Sequence, residues 1–98
     1  MKRNDILRQL RAAEAGLKAR GVDHVAVFGS VARGDAGPDS DIDIVVDLDP
    51  SVVVTIFDYV GVKDFIADML IGAVDVVSRE SLKPLARSTV MADAVYAF

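Results

Sequence analysis

The 98-residue sequence predicts a single domain of the α/β class, with one small sheet and helices packed against it. Apolar residues recur at helical spacing in several segments, and three short apolar runs rich in β-branched residues lie between turn signals. The predicted order is α, β, short α, β, α, β, α, and the length suits one hydrophobic core. The loop after the first strand is long enough for an antiparallel return, whereas the helix before the third strand suits a parallel crossover. The sequence therefore leaves the strand directions open.

A helix over residues 4–20 is predicted first, with Asn4 or Asp5 available as its N-cap and Gly21 at its end. Its predicted core face is a set of apolar residues at helical spacing, namely Ile6, Leu7, Leu10, Ala13 and Leu17.

The next two strands flank a loop rich in turn-forming residues. Residues 24–28 form a nearly continuous apolar run that stops at Gly29, which is typical of a buried strand. Ser30 is placed to cap a brief helical turn, and residues 34–40 form the loop. The second strand covers residues 41–48 and breaks at the Asp-Pro pair that follows.

The second half of the chain contains a helix, a strand and another helix. Ser51 is the predicted N-cap of a helix that runs to about Leu70 and bends near Gly61, although the β-branched residues after Ser51 disfavour its first turn. A third strand covers residues 73–77, and a last helix follows Pro84. Core positions are expected on both helices, namely Phe57, Val60, Phe65, Ile66, Met69, Leu70, Leu85, Val90, Met91, Ala94, Val95 and Phe98.

Composition and charge exclude several classes of function. The formal net charge is −4 and there is no dense basic cluster, so direct binding of nucleic acid through phosphate neutralisation is not expected. The absence of cysteine excludes disulfides, thiolate metal sites and cysteine nucleophiles. The N-terminus lacks the apolar segment of a signal peptide, and no apolar run approaches the ~20 residues that span a membrane. A soluble, cytoplasmic protein without membrane contact is the expectation.

Two aspartates interrupt the apolar second strand. Side chains alternate across a strand, so Asp41 and Asp43 are expected on one face. Carboxylates this close repel each other, and a divalent cation relieves the repulsion. Magnesium suits the site, because it takes oxygen ligands and commonly combines one or two carboxylates with nucleotide phosphates. Asp75 lies in the third strand, so three carboxylates converge if the two strands are neighbours in register.

The Gly29-Ser30 pair supplies a place for a phosphate beside such a metal site. A glycine at a strand end allows close approach to the backbone, and the start of a helix presents free N–H groups to an anion. The Ser30 hydroxyl adds a hydrogen bond, and Arg33 lies one helical turn further on as a charged donor.

Each of these features also has a plain structural interpretation. The paired aspartates are compatible with a turn cap, Asp75 with an edge-strand charge that blocks aggregation, and Arg33 with a surface arginine. Their combination beside apolar strands favours a site. His24 is interpreted as structural because no second His or Cys accompanies it, and Asp47 and Asp49 as solvated caps where the strand ends.

These residues resemble a known family. Gly29-Ser30, ten intervening residues and then Asp41-Ile42-Asp43 are similar to the signature of the polymerase-beta-like nucleotidyltransferase superfamily. The fuller stretch "FGSVARGDAGPDSDIDIVV" closely resembles the minimal nucleotidyltransferases, the MNT proteins. The segment "VDVVSRESLKPLARSTVMADAVYAF" is similar to the usual end of these short proteins, so the resemblance covers nearly the whole chain.

The resemblance implies the polymerase-beta-like nucleotidyltransferase fold, which is a mixed sheet with helices packed against it. It also implies ATP as the substrate and Mg²⁺ as the metal, and two Mg²⁺ ions would suit the chemistry. It implies that Gly29 and Ser30 bind the triphosphate and that Asp41 and Asp43 are metal ligands. Asp75 matches the third carboxylate, a general base or further metal ligand. The expected chemistry is attack of a hydroxyl on the α-phosphorus with loss of pyrophosphate.

Minimal members of this family resemble the antitoxin half of a toxin–antitoxin pair whose other half is an all-helical HEPN ribonuclease. The leading hypothesis is transfer of AMP from ATP onto a tyrosine of that HEPN toxin. One alternative is a binding module that neutralises its partner by occlusion without catalysis. The other is the catalytic subunit of a two-chain transferase that acts on a small molecule. The apolar residues 94–98 are compatible with a core or an interface.

Overall fold

The computed structural model of the protein describes residues 2–98. Four strands form one sheet in the order β3-β2-β1-β4, in which β1 is antiparallel to β2 and β4 while β3 is parallel to β2. This mixed sheet with helices confirms the predicted fold class. The elements in chain order are α1 (Arg3–Ala12), α2 (Glu14–Ala19), β1 (Val22–Phe28), α3 (Gly29–Arg33), β2 (Ile42–Leu48), α4 (Ile56–Met69), β3 (Val74–Ser78), a 3₁₀ turn (Arg79–Ser81), α5 (Pro84–Asp93) and β4 (Val95–Tyr96).

The register of the sheet separates an apolar face from a face that carries carboxylates. Ile42 and Ile44 of β2 lie opposite Val74 and Val76 of β3, and the residues between them, Asp43 and Asp75, point the other way. The helices complete one core cluster with the strands, to which they contribute Ile6, Leu7, Leu10, Leu17, Val31, Ala32, Val62 and Ile66, and Leu70 joins it directly after α4. Across residues 2–98, no helix is both long enough and apolar enough to cross a membrane.

The first predicted helix is two helices in the structure. The break falls at Ala13, whose N–H donates to the carbonyls of both Gln9 and Leu10, so the chain tightens there before α2 begins. Neither Asn4 nor Asp5 is the N-cap, because the helix begins at Arg3 and the extended residue Lys2 precedes it. The predicted core residues of this segment are buried all the same, apart from the half-buried Ala13.

The predicted start of α4 at Ser51 is wrong. Thr55 is the N-cap: its hydroxyl accepts a hydrogen bond from the Asp58 N–H at 3.3 Å, and the Asp58 carboxylate accepts one from the Thr55 N–H at 3.0 Å. The β-branched run before Thr55 stays outside the helix, as its stiff side chains favour. Ser51 instead donates its N–H and hydroxyl to Asp49, and the helix continues through Gly61.

Two residues predicted for the core of α4 lie on the surface. Val62 and Ile66 face the core, which turns Phe57 and Val60 toward solvent. The predicted core residues came from different sides of a helix whose charged residues are spread around it.

The last predicted helix ends earlier than expected. Ala94 leaves helical conformation, and Val95–Tyr96 pairs with β1 as the outer strand β4. The Ala97 N–H donates to the carbonyl of Val25 at 2.9 Å. Backbone groups at the β1 edge need partners, and the C-terminal segment provides them. Residues 94–98 are therefore part of the sheet and its margin.

Candidate active site

The three predicted carboxylates lie at one end of the sheet. Asp43 of β2 and Asp75 of β3 are register partners on adjacent parallel strands, so their side chains point to the same face. Asp41 lies two residues before Asp43, just outside β2, and is exposed. The expected condition, neighbouring strands in register, is confirmed.

Asp43 is the half-buried member of this group. Burial raises the pKa of Asp43, the negative charges of Asp75 and Asp41 raise it further, and the positive charge of Arg33 lowers it. The carboxylates thus repel one another strongly enough to affect protonation. A cation bound beside Asp43 would relieve that repulsion.

Gly29 joins the end of β1 to the start of α3, directly beside Asp43. Its φ of 73° lies in the left-handed region that favours glycine. A Cβ atom at this position would collide with the Asp43 carboxylate. Glycine is therefore required here both by backbone conformation and by the close approach of the Asp43 side chain.

Ser30 lies in the first turn of α3, which differs from its predicted place as the helix cap. The helix begins at Gly29, with the extended residue Phe28 before it. The chain turns at the left-handed Gly29, so α3 has already begun when the chain reaches Ser30. Its half-buried side chain lies next to Gly29 and within one turn of Arg33.

Arg33 is held by two carboxylates. Its Nη1 donates to Asp93 Oδ2 at 2.7 Å and its Nε to Asp35 Oδ2 at 3.3 Å, and these hydrogen bonds raise the pKa of the guanidinium. A cleft of about 530 Å³ opens beside Arg33, and Lys2 and Arg3 line it as well. Three cationic side chains and the carboxylate of Asp5 thus line the cleft, while Asp93 of α5 and Asp35 of the loop after α3 pair with Arg33.

Sequence reasoning missed Asp93. This residue of α5 ties that helix to α3 through Arg33, across 60 residues of sequence. The sequence carries no local signal for the pairing, because it depends on how α5 folds back over the sheet. Asp47 and Asp49 are not part of the carboxylate group, since Asp47 pairs with Arg79 and Asp49 caps the turn at Ser51. The ring of His24 contacts that of Tyr96.

The carboxylate group suits magnesium by its chemistry. Within residues 2–98, no group of three or more His, Cys, Asp or Glu side chains is arranged to coordinate a metal ion by itself. Magnesium does not require one, since it is commonly held by one or two carboxylates together with substrate phosphates. The negative charges of Asp41, Asp43 and Asp75 supply the negative potential that such an ion needs. Asp41 and Asp43 are the residues that would hold it.

Comparisons with known proteins identify the family. The family model described as a nucleotidyltransferase domain matches residues 8–97. Protein adenylyltransferase MntA of Thermococcus cleftensis is 35% identical over 88 residues, which is 89% of this chain and 87% of the relative. A solved structure assigned to the minimal nucleotidyltransferases has a TM-score of 0.81 and 33% identity, with coverage of 97% of this chain and 95% of that one.

A toxin–antitoxin crystal structure with AMP-PNP is more distant. It has a TM-score of 0.63 and 22% identity, and the match covers 100% of this chain and 73% of that chain. This second structure supports the fold alone. The family match across most of the chain and the relative at 35% identity go further: this chain belongs to the nucleotidyltransferase family and is a nucleotidyltransferase of the minimal type.

Proposed function

We propose that the protein transfers AMP from ATP onto a tyrosine hydroxyl of a HEPN-type ribonuclease toxin and thereby acts as its antitoxin. The observation that carries this proposal is the alignment of Asp43 with Asp75 beside the Gly29 turn. The name of the Thermococcus relative, protein adenylyltransferase, supports the type of acceptor. A toxin–antitoxin structure with AMP-PNP shares the fold, and the proposal extends its nucleotide and its kind of partner to this chain. Because the reaction uses ATP, we place it in the cytoplasm.

In this proposal, Gly29 and Ser30 bind the triphosphate. Gly29 lets the phosphates approach the backbone, and Ser30 donates its hydroxyl. Arg33 exchanges its exposed ion pairs with Asp35 and Asp93 for a phosphate oxygen, an exchange that is cheap because exposed pairs contribute little.

Asp41 and Asp43 would hold magnesium, which supplies charge neutralisation and alignment of the triphosphate when bound. Asp75 is exposed and faces the same site, so it can accept the proton of the attacking hydroxyl. The acceptor oxygen forms a bond to the α-phosphorus, the bond from that phosphorus to the bridging oxygen breaks, and pyrophosphate leaves with the electron pair.

The test combines the purified protein with ATP labelled at the α-phosphate, magnesium and the HEPN-type protein of the adjacent reading frame. Intact mass and peptide fragmentation then locate the label. We expect one AMP on a tyrosine of the partner, and we expect Asp43→Asn or a chelator to abolish it. Asp47→Asn is the matched control, because Asp47 lies on the same strand and face but pairs with Arg79 outside the site.

Two results would overturn the proposal. Neutralisation of the toxin by a variant with both Asp41→Asn and Asp43→Asn, with no label transferred, would indicate occlusion. Label on a small molecule, with none on protein, would indicate a transferase subunit with a different acceptor.

A further inference from the structure

An apolar patch is exposed at the start of α4. It consists of four residues that we call the α4 patch, with exposed fractions of 71% for Val54, 70% for Ile56, 83% for Phe57 and 44% for Val60. Single exposed apolar residues are ordinary, but a contiguous group of this size usually marks an interaction site.

The patch belongs to a firmly held element. The capping box of Thr55 and Asp58 fixes the first turn of α4. The Tyr59 hydroxyl donates to the carbonyl of Val76 at 3.1 Å and attaches the helix to β3. Val62 and Ile66 already bury the core side of the helix. The α4 patch therefore faces solvent on a well-held helix, and the core is packed without it.

The location of the patch relates it to the reacting groups. β3 is the outer strand at one end of the sheet, and Val76, which accepts the bond from Tyr59, follows Asp75 directly. Phe57 lies two residues before Tyr59, so it points to the opposite, solvent-facing side of the helix. Because α4 packs on the apolar face of the sheet and Asp75 points to the other face, a protein seated on the patch would have to reach around the edge strand β3 to bring its hydroxyl to Asp75.

The acidic residues of α4 indicate which kind of protein would bind the α4 patch. The segment Ile56–Met69 contains three aspartates, Asp58, Asp64 and Asp68, and one lysine, Lys63. A symmetric contact with a second copy would bring these acidic residues against each other, in a chain whose net charge is already −4. A protein that acts on RNA has a basic surface and would complement them.

We infer that the α4 patch is the docking surface for the acceptor protein, a ribonuclease with an apolar pocket bordered by Lys and Arg. This inference rests on the proposed function, because that function supplies the acceptor. Phe57 is the central anchor, since aromatic residues dominate the energetics of such contacts. Asp64 and Asp68 contribute mainly to the rate of association.

The experiment measures binding of the adjacent reading-frame product by calorimetry in buffer without nucleotide, so that transfer does not interfere. Phe57→Asp is compared with Leu85→Asp, because Leu85 of α5 is also 83% exposed. We expect Phe57→Asp to weaken binding by about 30-fold or more and Leu85→Asp by no more than about 3-fold. Stopped-flow mixing gives the association rate, which we expect Asp64→Lys to lower by roughly 10-fold at low salt.

Further measurements separate the possible failures. Circular dichroism and binding of AMP-PNP should be unchanged in Phe57→Asp, which shows that its fold and nucleotide site are intact. Equal partner binding by wild type and Phe57→Asp would overturn the docking surface and leave the proposed function standing. A wild-type dimer that becomes a monomer in Phe57→Asp would assign the patch to a second copy instead. If the wild type does not bind the partner in this assay, the docking surface is overturned, and label transfer alone decides the proposed function.

Discussion

Gly29 shows how one position connects backbone conformation to the site. We expect Gly29→Ala to lose AMP transfer by roughly 100-fold, because the left-handed φ of 73° disfavours alanine and the new Cβ would displace the Asp43 carboxylate. Radiolabel transfer and thermal unfolding measure the two effects. Gly61→Ala is the matched control: nothing lies within 4 Å of a Cβ there, so it should stabilise α4 by about 0.5–1 kcal/mol and leave transfer unchanged. Equal activity of both variants would contradict the role of Gly29.

Asp43 gives a pH-dependent prediction. Burial and the neighbouring carboxylates raise the pKa of Asp43 above 3.8 in the folded protein. The protonated form of Asp43 therefore favours folding: this contribution to stability is complete below the unfolded-state pKa and is lost as the pH rises through the folded-state pKa. At pH 7 the ionised form is a destabilising charge in the metal-free protein. We therefore expect Asp43→Asn to unfold at or above the wild-type temperature at neutral pH, with the difference gone below pH 3.8.

Thermal unfolding across this pH range, with chelator present, measures the effect. Loss of a residue that only supports a metal ligand lowers activity by roughly 10–100-fold. Asp43 is proposed as a ligand itself, so AMP transfer by Asp43→Asn should fall by at least that much. A variant that unfolds at a clearly lower temperature than wild type at pH 7 would show that the Asp43 charge stabilises the fold.

The residues of the candidate site were accessible to sequence reasoning to different degrees. The Gly29-Ser30 pair and the three aspartates could be predicted, because glycine at a strand end and carboxylates in apolar strands conflict with ordinary packing. The collision that makes Gly29 necessary could not, since it requires the register of Phe28 with Asp43. Nor could the bond between Arg33 and Asp93, which depends on the tertiary fold.

At the scale of elements, the beginning of α4 provides a direct comparison of two candidate caps. We expect Thr55→Ala to reduce the free energy of unfolding by about 0.5–2 kcal/mol, because it removes the hydroxyl that accepts the Asp58 N–H. Ser51→Ala should change it by less than about 0.5 kcal/mol, because Ser51 contacts only an exposed turn around Asp49. Chemical denaturation of both variants measures the difference. A larger loss for Ser51→Ala would restore the helix start that the sequence indicated.

This error had a local cause. Ser51 and Thr55 are both good caps, and the feature that distinguishes them is the acidic residue three positions after Thr55, Asp58, which completes the capping box. The β-branched residues between them pointed the same way. Core assignment on α4 failed for a different reason: its charged residues are spread around the helix, so the sequence shows no separate polar face that would reveal which side is buried.

At the scale of the whole molecule, the sequence predicted the sheet, the helices and their order, but two features of the topology depended on tertiary structure. The directions of the strands could not be predicted, since the connections allow either arrangement. The fourth strand was hidden because Val95–Tyr96 is too short to show a strand pattern and continues the apolar spacing of α5. Its partner, β1, lies about 70 residues earlier in the chain.

Removal of residues 95–98 tests how much that margin contributes to the fold. The truncated protein loses the bond from the Ala97 N–H to Val25, the bond from the Val25 N–H to Phe98, and the bond from Arg11 Nε to the Ala97 carbonyl, at 2.9, 3.4 and 3.0 Å. At about 1 kcal/mol each, and with the packing of Val95, Ala97 and Phe98 against the core also lost, the deletion should lower the melting temperature by at least roughly 10–20 °C.

The unpaired outer edge of β1 should also promote self-association, which light scattering would detect. Tyr96→Ala is the control, because it removes the ring that contacts His24 and keeps the backbone ladder, so the truncation should be much more severe. If both variants melt alike and stay monomeric, then backbone pairing by the C-terminal residues is not what closes this edge of the sheet.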